Sequence, residues 1–289
     1  MKAIVLAGGT GSRLFPTTRG VSKQLLPVYD KPMIYYPLSV VMQANIREVL
    51  IITTPEDQSA FQRLLQGGEQ WGMQIHYATQ KAPKGIAEAL WIGADFVGQE
   101  DVMLILGDNI FYGVGLKTQL QQAQQDLTQN QASIFAYYVD HPQRYGVVHF
   151  DEQGSALSIE EKPANPKSNY AVTGMYFYPN DAVKIARGLR PSPRGELEIT
   201  DLNQAFLSQN RLQVRTLPEG FAWLDTGTHE SLIEAGQLVY TLEKRQGLKV
   251  GCVEEIALQN GWISQAQLTD WAATFAQSSY GAYLIAKYG

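Results

Sequence analysis

The chain has 289 residues, 45% hydrophobic and 18% charged, with 23 lysines and arginines against 28 aspartates and glutamates, a formal charge of −5. Such a length can bury a substantial core; the acidic balance argues against broad nucleic-acid binding but lets a few local cations hold an anionic ligand. The single cysteine, Cys252, excludes an internal disulfide and a thiolate metal cluster, and His76, His141, His149 and His229 lie far apart with no HxxxH pair.

In chain order, the apolar run Ala3–Leu6 reads as a buried strand ending in a glycine-rich turn, Ala7-Gly8-Gly9-Thr10-Gly11-Ser12-Arg13. Glycines let the backbone approach a bulky anion and turn successive N–H groups toward phosphate oxygens. Arg13 adds a planar, permanently charged fork. The spacing is not a P-loop, since no lysine follows Gly11, nor a dinucleotide fingerprint, since Leu14 stands where the third glycine belongs. Pro16 and Thr17-Thr18 predict an irregular stretch before Lys23. Two cations flanking a glycine turn are more charge than a simple reversal of direction needs.

Ile34–Ala44 reads as a helix following Pro32, Val49–Thr53 as a β-branched strand, and Glu56–Leu65 as a helix after Pro55. Strand Ile75–Ala78, helix Ile86–Phe96, strand Val102–Leu106 and helix Leu116–Leu127 continue the alternation. Strands separated by such helices imply βαβ units, hence a Rossmann-like α/β fold with a mostly parallel central sheet flanked by helices. Ligands of such sheets sit beyond the carboxyl ends of the strands, where both Gly8–Arg13 and Asp108 fall. Asp108 suits a Mg²⁺ ligand there, or the cap of the turn before Phe111.

Ser133–Val139, Gly146–Phe150, Ala156–Glu160 and Tyr170–Tyr178 are strand candidates that predict an inserted β-rich subdomain. Asp225 precedes Thr226-Gly227-Thr228 and could equally cap the helix around Glu230. After Leu212–Leu217 the chain turns into a helical C-terminal region, with Leu232, Ala235, Val239 and Leu242 on one helical face suited to core packing. No repeat, low-complexity tract or linker interrupts the chain. One domain over 1–289 is therefore expected, with a core over about 1–130, a second part over about 131–228 and a helical region over about 229–289. No apolar stretch is long enough for a membrane span and the N-terminus lacks a signal peptide's hydrophobic region, so no membrane partner and a cytoplasmic location are expected.

Leu6–Thr18, with Lys23 downstream, resembles the signature of the sugar-phosphate nucleotidylyltransferases. Later blocks match in order: Lys31–Leu38, Leu106–Phe111, Glu160–Pro163, Tyr170–Gly174 and Trp223–Thr228. The resemblance covers nearly the whole chain and is closest to the thymidylyl branch. It implies dTTP and glucose-1-phosphate as substrates, dTDP-glucose and pyrophosphate as products, and Mg²⁺ as cofactor. It also implies a homotetramer with dTDP-rhamnose as a feedback effector at an inter-subunit site.

For the residues, the resemblance implies a catalytic set of Arg13, Lys23, Asp108, Lys162 and Asp225, the two aspartates sharing Mg²⁺. Leu6, Gly8, Gly9, Thr10, Gly11, Ser12, Lys23 and Gln24 would belong to the nucleotide pocket. Gln80 would read the base, with Gly85 giving a backbone contact beside it. Lys162 would grip the sugar phosphate and Glu161 the sugar hydroxyls. Asn109, Tyr145, Gly146 and Val172 would line the pocket for the sugar, making the β-rich part sugar-binding.

Three rivals stand beside this reading. A uridylyltransferase would share nearly identical pyrimidine edges. A nucleotide-sugar glycosyltransferase would want Asp-x-Asp where the chain has Asp108-Asn109-Ile110, and has no need of a turn that grips pyrophosphate. A non-catalytic sensor of nucleotide sugars could lose Asp108, Asp225, Arg13 or Lys162, yet all four are present.

Overall fold

The computed structural model describes residues 1–289. β1 (Lys2–Ala7) is the first buried strand, and the glycine turn after it tightens into one 3-10 turn at Ser12–Leu14. A second 3-10 turn, Lys23–Leu25, leads to a short antiparallel ribbon of β2 (Pro27–Val28) and β3 (Lys31–Pro32). Then come α1 (Tyr35–Gln43), β4 (Glu48–Thr53), α2 (Gln58–Leu65) and β5 (Gln74–Thr79). α2 starts two residues later than expected because Thr54 and Asp57 first close a turn: the Asp57 N–H donates to Thr54 Oγ1 at 3.2 Å.

The helix expected over Ile86–Phe96 is broken into α3 (Glu88–Ile92) and α4 (Ala94–Val97). Gly93 separates them where the helical layer presses on the sheet, so close that a Cβ there would lie 2.6 Å from Ile4 Cδ1. β6 (Val102–Leu106), β7 (Asn109–Tyr112) and α5 (Leu116–Thr128) complete this half.

β1, β4, β5 and β6 are parallel, with Ile4 opposite Leu50 and Leu104, and Val5 opposite Ile51 and Ile105. β1, β4 and β6 carry the unbroken apolar runs of strands covered on both faces, whereas β5, at the sheet edge, interleaves Ile75 with the exposed Gln74 and His76. Val5, Ile51 and Ile105 point into one core, and Ile4, Leu50 and Leu104 into the other.

The second half runs through β8 (Ala132–Tyr138), β9 (Gly146–Phe150), β10 (Ala156–Glu161), β11 (Tyr170–Tyr178), α6 (Ala182–Arg187), α7 (Ile199–Ser208), β12 (Leu212–Thr216) and β13 (Ala222–Asp225). The expected β-rich segment is present, but its strands extend the central sheet and form no separate one. The reason lies in β11, buried from Ala171 to Tyr178 and therefore a central strand. Its residues Met175–Tyr178 pair antiparallel with Val102–Ile105 of β6, and Ala171 pairs with Val147 of β9. The sheet has nine strands in the order β10-β9-β11-β6-β1-β4-β5, with β8 also paired to β11 and β12 to β8. The hairpin of β9 and β10 thus stands past the carboxyl end of β6. β13 pairs with β7 in a separate two-stranded ribbon.

The C-terminal region is helical, with α8 (His229–Gln246), α9 (Val253–Gln259), α10 (Gln265–Ala273) and α11 (Ser279–Tyr288). The expected face of α8 goes into a core: Ala235 and Val239 pack with Val28, Met33, Tyr36 and Ile110, and Leu232 and Leu242 flank them. No helix is long and apolar enough to cross a membrane.

Candidate active site

A cleft of about 610 Å³ opens at the carboxyl ends of β1 and β6. Leu6, Gly9, Arg13, Gln24, Gln80, Gly85, Asp108, Asn109, Tyr145, Gly146, Glu161, Lys162, Val172 and Asp225 line it, all of them expected from the sequence. Five other expected residues stand just behind or beside the lining. Thr10, Gly11 and Ser12 form the rest of the glycine turn, Gly8 is buried under Gln80, and Lys23 is 5% exposed beside Asp108.

Asp108 leaves the end of β6 and Asp225 ends β13, in register with Asn109 of β7. Thr226 ties the two strands together, its hydroxyl donating to the Asp108 carbonyl at 2.8 Å. The helix after Asp225 is capped by Thr228 and Ser231, so Asp225 is not its cap. Lys23 Nζ donates to Asp108 Oδ2, and Asn109 Nδ2 donates to Asp108 Oδ1 at 2.9 Å. Burial alone would raise the Asp108 carboxyl, but the Lys23 charge and these hydrogen bonds outweigh it and hold the group below its ordinary value. Asp225 goes the other way: burial raises it, the Asp108 charge raises it further, and Lys23, Arg13 and Arg144 only partly compensate.

Two half-buried carboxylates repelling each other in one cleft are a fitting seat for a hard divalent cation, which needs only one or two protein carboxylates. No group of three or more His, Cys, Asp and Glu side chains is placed to hold a metal ion.

On the opposite wall, Glu161 ends β10 and the next residue turns sharply. Lys162 has φ 43°, and its N–H donates to the Tyr145 carbonyl at 3.0 Å. Left-handed backbone at a non-glycine residue just before a proline is strained, and the reversal brings an ammonium, 45% exposed, to the cleft. Tyr145 rests edge-on against Trp223, with ring centroids 5.2 Å apart. Trp223 Nε1 donates to Asn109 Oδ1 at 2.7 Å and the Gly174 N–H to the same oxygen at 3.0 Å, so the Asn109 oxygen is satisfied inside the protein.

At the end of the cleft beside Gly8, Gln80 follows β5 and donates from Nε2 to the Gly85 carbonyl at 3.2 Å and to Glu88 Oε2 at 2.8 Å. Gly85 has φ 104°, and a Cβ there would lie 2.3 Å from the Leu197 carbonyl oxygen. Only glycine fits that position.

A cluster around Glu161 was not expected from the sequence. Arg194 donates to both carboxylate oxygens of Glu198, at 2.9 and 2.8 Å, and to Glu161 Oε1 at 3.2 Å. Thr200 Oγ1 donates to Glu161 Oε2 at 2.5 Å. Arg194, Glu196, Glu198 and Thr200 all line the cleft, as do Arg144, Tyr176 and Trp223. Residues 190–198, Arg-Pro-Ser-Pro-Arg-Gly-Glu-Leu-Glu, carry as their only sequence signal a cation among acids after two prolines.

A family model described as nucleotidyl transferase matches residues 2–241. The chain is 56% identical to the glucose-1-phosphate thymidylyltransferase of Neisseria meningitidis serogroup A over 285 residues, covering 99% of this chain and 98% of that protein. Identity to the protein of that name from Mycobacterium tuberculosis is also 56%, over the same shares. Among solved structures, a Bacillus anthracis protein assigned as a glucose-1-phosphate thymidylyltransferase, in complex with sucrose, matches at TM-score 0.77 and 40% identity over 82% of this chain and 94% of that one. A UDP-glucose pyrophosphorylase complexed with UDP-glucose matches at TM-score 0.73 and 25% identity, over 83% and 98%.

Proposed function

The chain belongs to the nucleotidyl transferase family, and we propose that it transfers a thymidylyl group from dTTP to glucose-1-phosphate, releasing pyrophosphate and forming dTDP-glucose. The observation that carries this reading is the convergence of Asp108 and Asp225 between a glycine turn with Arg13 on one side and Glu161 with Lys162 on the other. The names of relatives more than half identical over almost the full chain favour dTTP over UTP.

In this reading Gln80 and the Gly85 backbone hold the base, and Arg13 with the amides of Gly8–Ser12 holds the β- and γ-phosphates. Lys162 holds the phosphate of the sugar, and Glu161 accepts from sugar hydroxyls with the lone pairs that Thr200 and Arg194 leave free. A phosphate oxygen of glucose-1-phosphate attacks the α-phosphorus in line, forming a new P–O bond. The bond to the bridging oxygen breaks and pyrophosphate leaves with the electron pair. A sugar phosphate is already ionised at neutral pH, so alignment and charge neutralisation suffice and no general base is required. Lys23 keeps Asp108 ionised. Mg²⁺, held by Asp108 and Asp225, supplies Lewis-acid neutralisation of the phosphates when bound.

A homotetramer, a cytoplasmic location and feedback by dTDP-rhamnose go with the same reading.

The test is Mg²⁺-dependent pyrophosphate release with glucose-1-phosphate and each of dTTP, UTP, CTP, ATP and GTP. Release is expected with dTTP above all and only when the sugar phosphate is present. A preference for UTP would overturn the base assignment. No release from folded protein that still binds dTDP-glucose would overturn catalysis itself and leave a sensor.

A further inference from the structure

The amide of Gln80 is oriented by chemistry on its protein side. Its Nε2 faces Glu88 Oε2 at 2.8 Å and the Gly85 carbonyl at 3.2 Å. A carboxylate and a peptide carbonyl can only accept, so both must meet the NH₂ end, and this pairing determines which end is nitrogen. Both N–H bonds are then committed inside the protein. The other end, Oε1, lies against Gly8, where a Cβ would come within 2.8 Å of it. Gln80 is 5% exposed and borders the cleft, so what it has left for a ligand is a carbonyl acceptor.

Glu88 is the stronger of the two anchors, with the shorter contact and a full charge. It occupies the first turn of α3, and the buried Ala87 and Ala89 on either side hold that turn in the core. Without it, one longer bond to Gly85 would be all that opposes rotation of the amide.

We propose that Glu88 is a positioning residue that determines base specificity: it holds the Gln80 amide nitrogen so that only an acceptor faces the base. The inference rests on the reading of Gln80 as the residue that meets the pyrimidine. Thymine and uracil present an N3–H to that acceptor, whereas cytosine presents a lone pair at N3. Glu88 therefore sets discrimination between imide pyrimidines and cytosine, and is neutral between dTTP and UTP.

The test is calorimetric titration of the full chain with dTTP and with dCTP, each with Mg²⁺ and without sugar phosphate. The variants are Glu88→Leu, Glu88→Ala, Glu88→Gln and Gln80→Leu, with thermal melts to verify folding. The parent is expected to favour dTTP strongly. Glu88→Leu and Glu88→Ala should lower the dTTP-to-dCTP ratio by about tenfold, partly through tighter dCTP binding, because a freed amide can turn its N–H toward cytosine. Glu88→Gln, whose own carbonyl still accepts, should keep the ratio within about threefold of the parent. A purely structural role would weaken both nucleotides alike, and that result overturns the proposal, as does a parent with no preference. If Gln80→Leu leaves the ratio untouched, the base-reading role of Gln80 fails. If Gln80→Leu abolishes the preference while the Leu and Ala variants of Glu88 keep it, only the role of Glu88 fails.

Discussion

Asp108 and Asp225 carry the same charge in the same cleft, yet their surroundings act on them in opposite directions. The fold holds Asp108 below its ordinary value, so its ionised form stabilises the protein above that value and the contribution is lost as pH falls through the lowered one. Asp225 is raised, so its protonated form is the favoured one. Its contribution is present at low pH and lost as pH rises through the raised value, and at neutral pH the ionised group is a liability without a cation. The two asparagine variants should therefore part company in stability while agreeing in activity. In metal-free protein at neutral pH, Asp225→Asn should raise Tm, and the gain should vanish below the carboxylate range. Asp108→Asn leaves buried Lys23 unpaired and should lower stability by roughly 3 kcal/mol. Both should cut kcat by about a hundredfold or more, the scale of losing a charge-stabilising group. Melts in chelator alongside pyrophosphate release check this; an Asp225→Asn protein that melts below the parent would refute the repulsion argument. Asp108 and Arg13 were legible as cleft residues because each follows a buried strand in a short motif, whereas Asp225 and Gln80 were reached through the family resemblance. Glu198 and Thr200 were not, because what marks them is contact with Glu161 and Arg194 in the folded chain.

At the scale of elements, α8 does more than cover a core. Near its C-terminal end, Glu243 is 4% exposed at the side chain and accepts from Lys31 Nζ at 3.0 Å, Lys249 Nζ at 2.7 Å and the Val250 N–H at 3.0 Å. Asp30 joins both lysines, so two cations and two anions balance where the β2–β3 ribbon, α8 and the following loop meet. Such a cluster is weak evidence for net stability, but breaking it leaves an excess cation out of water. Glu243→Ala should cost about 3–5 kcal/mol of unfolding free energy, read from the urea midpoint at unchanged slope. A loss below about 1 kcal/mol would mean that water reaches the ammonium groups and that the junction is not held by charge. The helical period made the buried face of α8 readable in the sequence. It could not show the break at Gly93, which depends on how closely α3 and α4 approach Ile4, nor the β7–β13 ribbon, whose strands are short and distant in the chain.

At the scale of the molecule, β11 decides how the cleft is made. The alternation of strands and helices was enough to read a parallel sheet over the first half, but not that the later strands join it. The available signal was the buried, unalternating run Ala171–Tyr178, which belongs to a sheet's middle. Because one end of β11 pairs with β6 and the other reaches β9, the two walls of the cleft are joined by one continuous strand. The glycine turn and Gln80 lie on one side and Tyr145–Gly146 and Glu161–Lys162 on the other, while the segment 194–200 reaches both, the Leu197 N–H donating to the Lys84 carbonyl at 2.7 Å. Hydrogen exchange should resolve this division. Saturating dTTP with Mg²⁺ should slow exchange over 8–13 and 80–88, while glucose-1-phosphate should slow it over 145–162. Amides of the β6–β11 seam open only with the whole fold, so they should gain protection from either ligand alike, by about 2.7 kcal/mol at a hundredfold excess over Kd. If dTTP instead protected 145–162 and left 80–88 unchanged, the two surfaces would have to exchange roles, and Gln80 would no longer face the base.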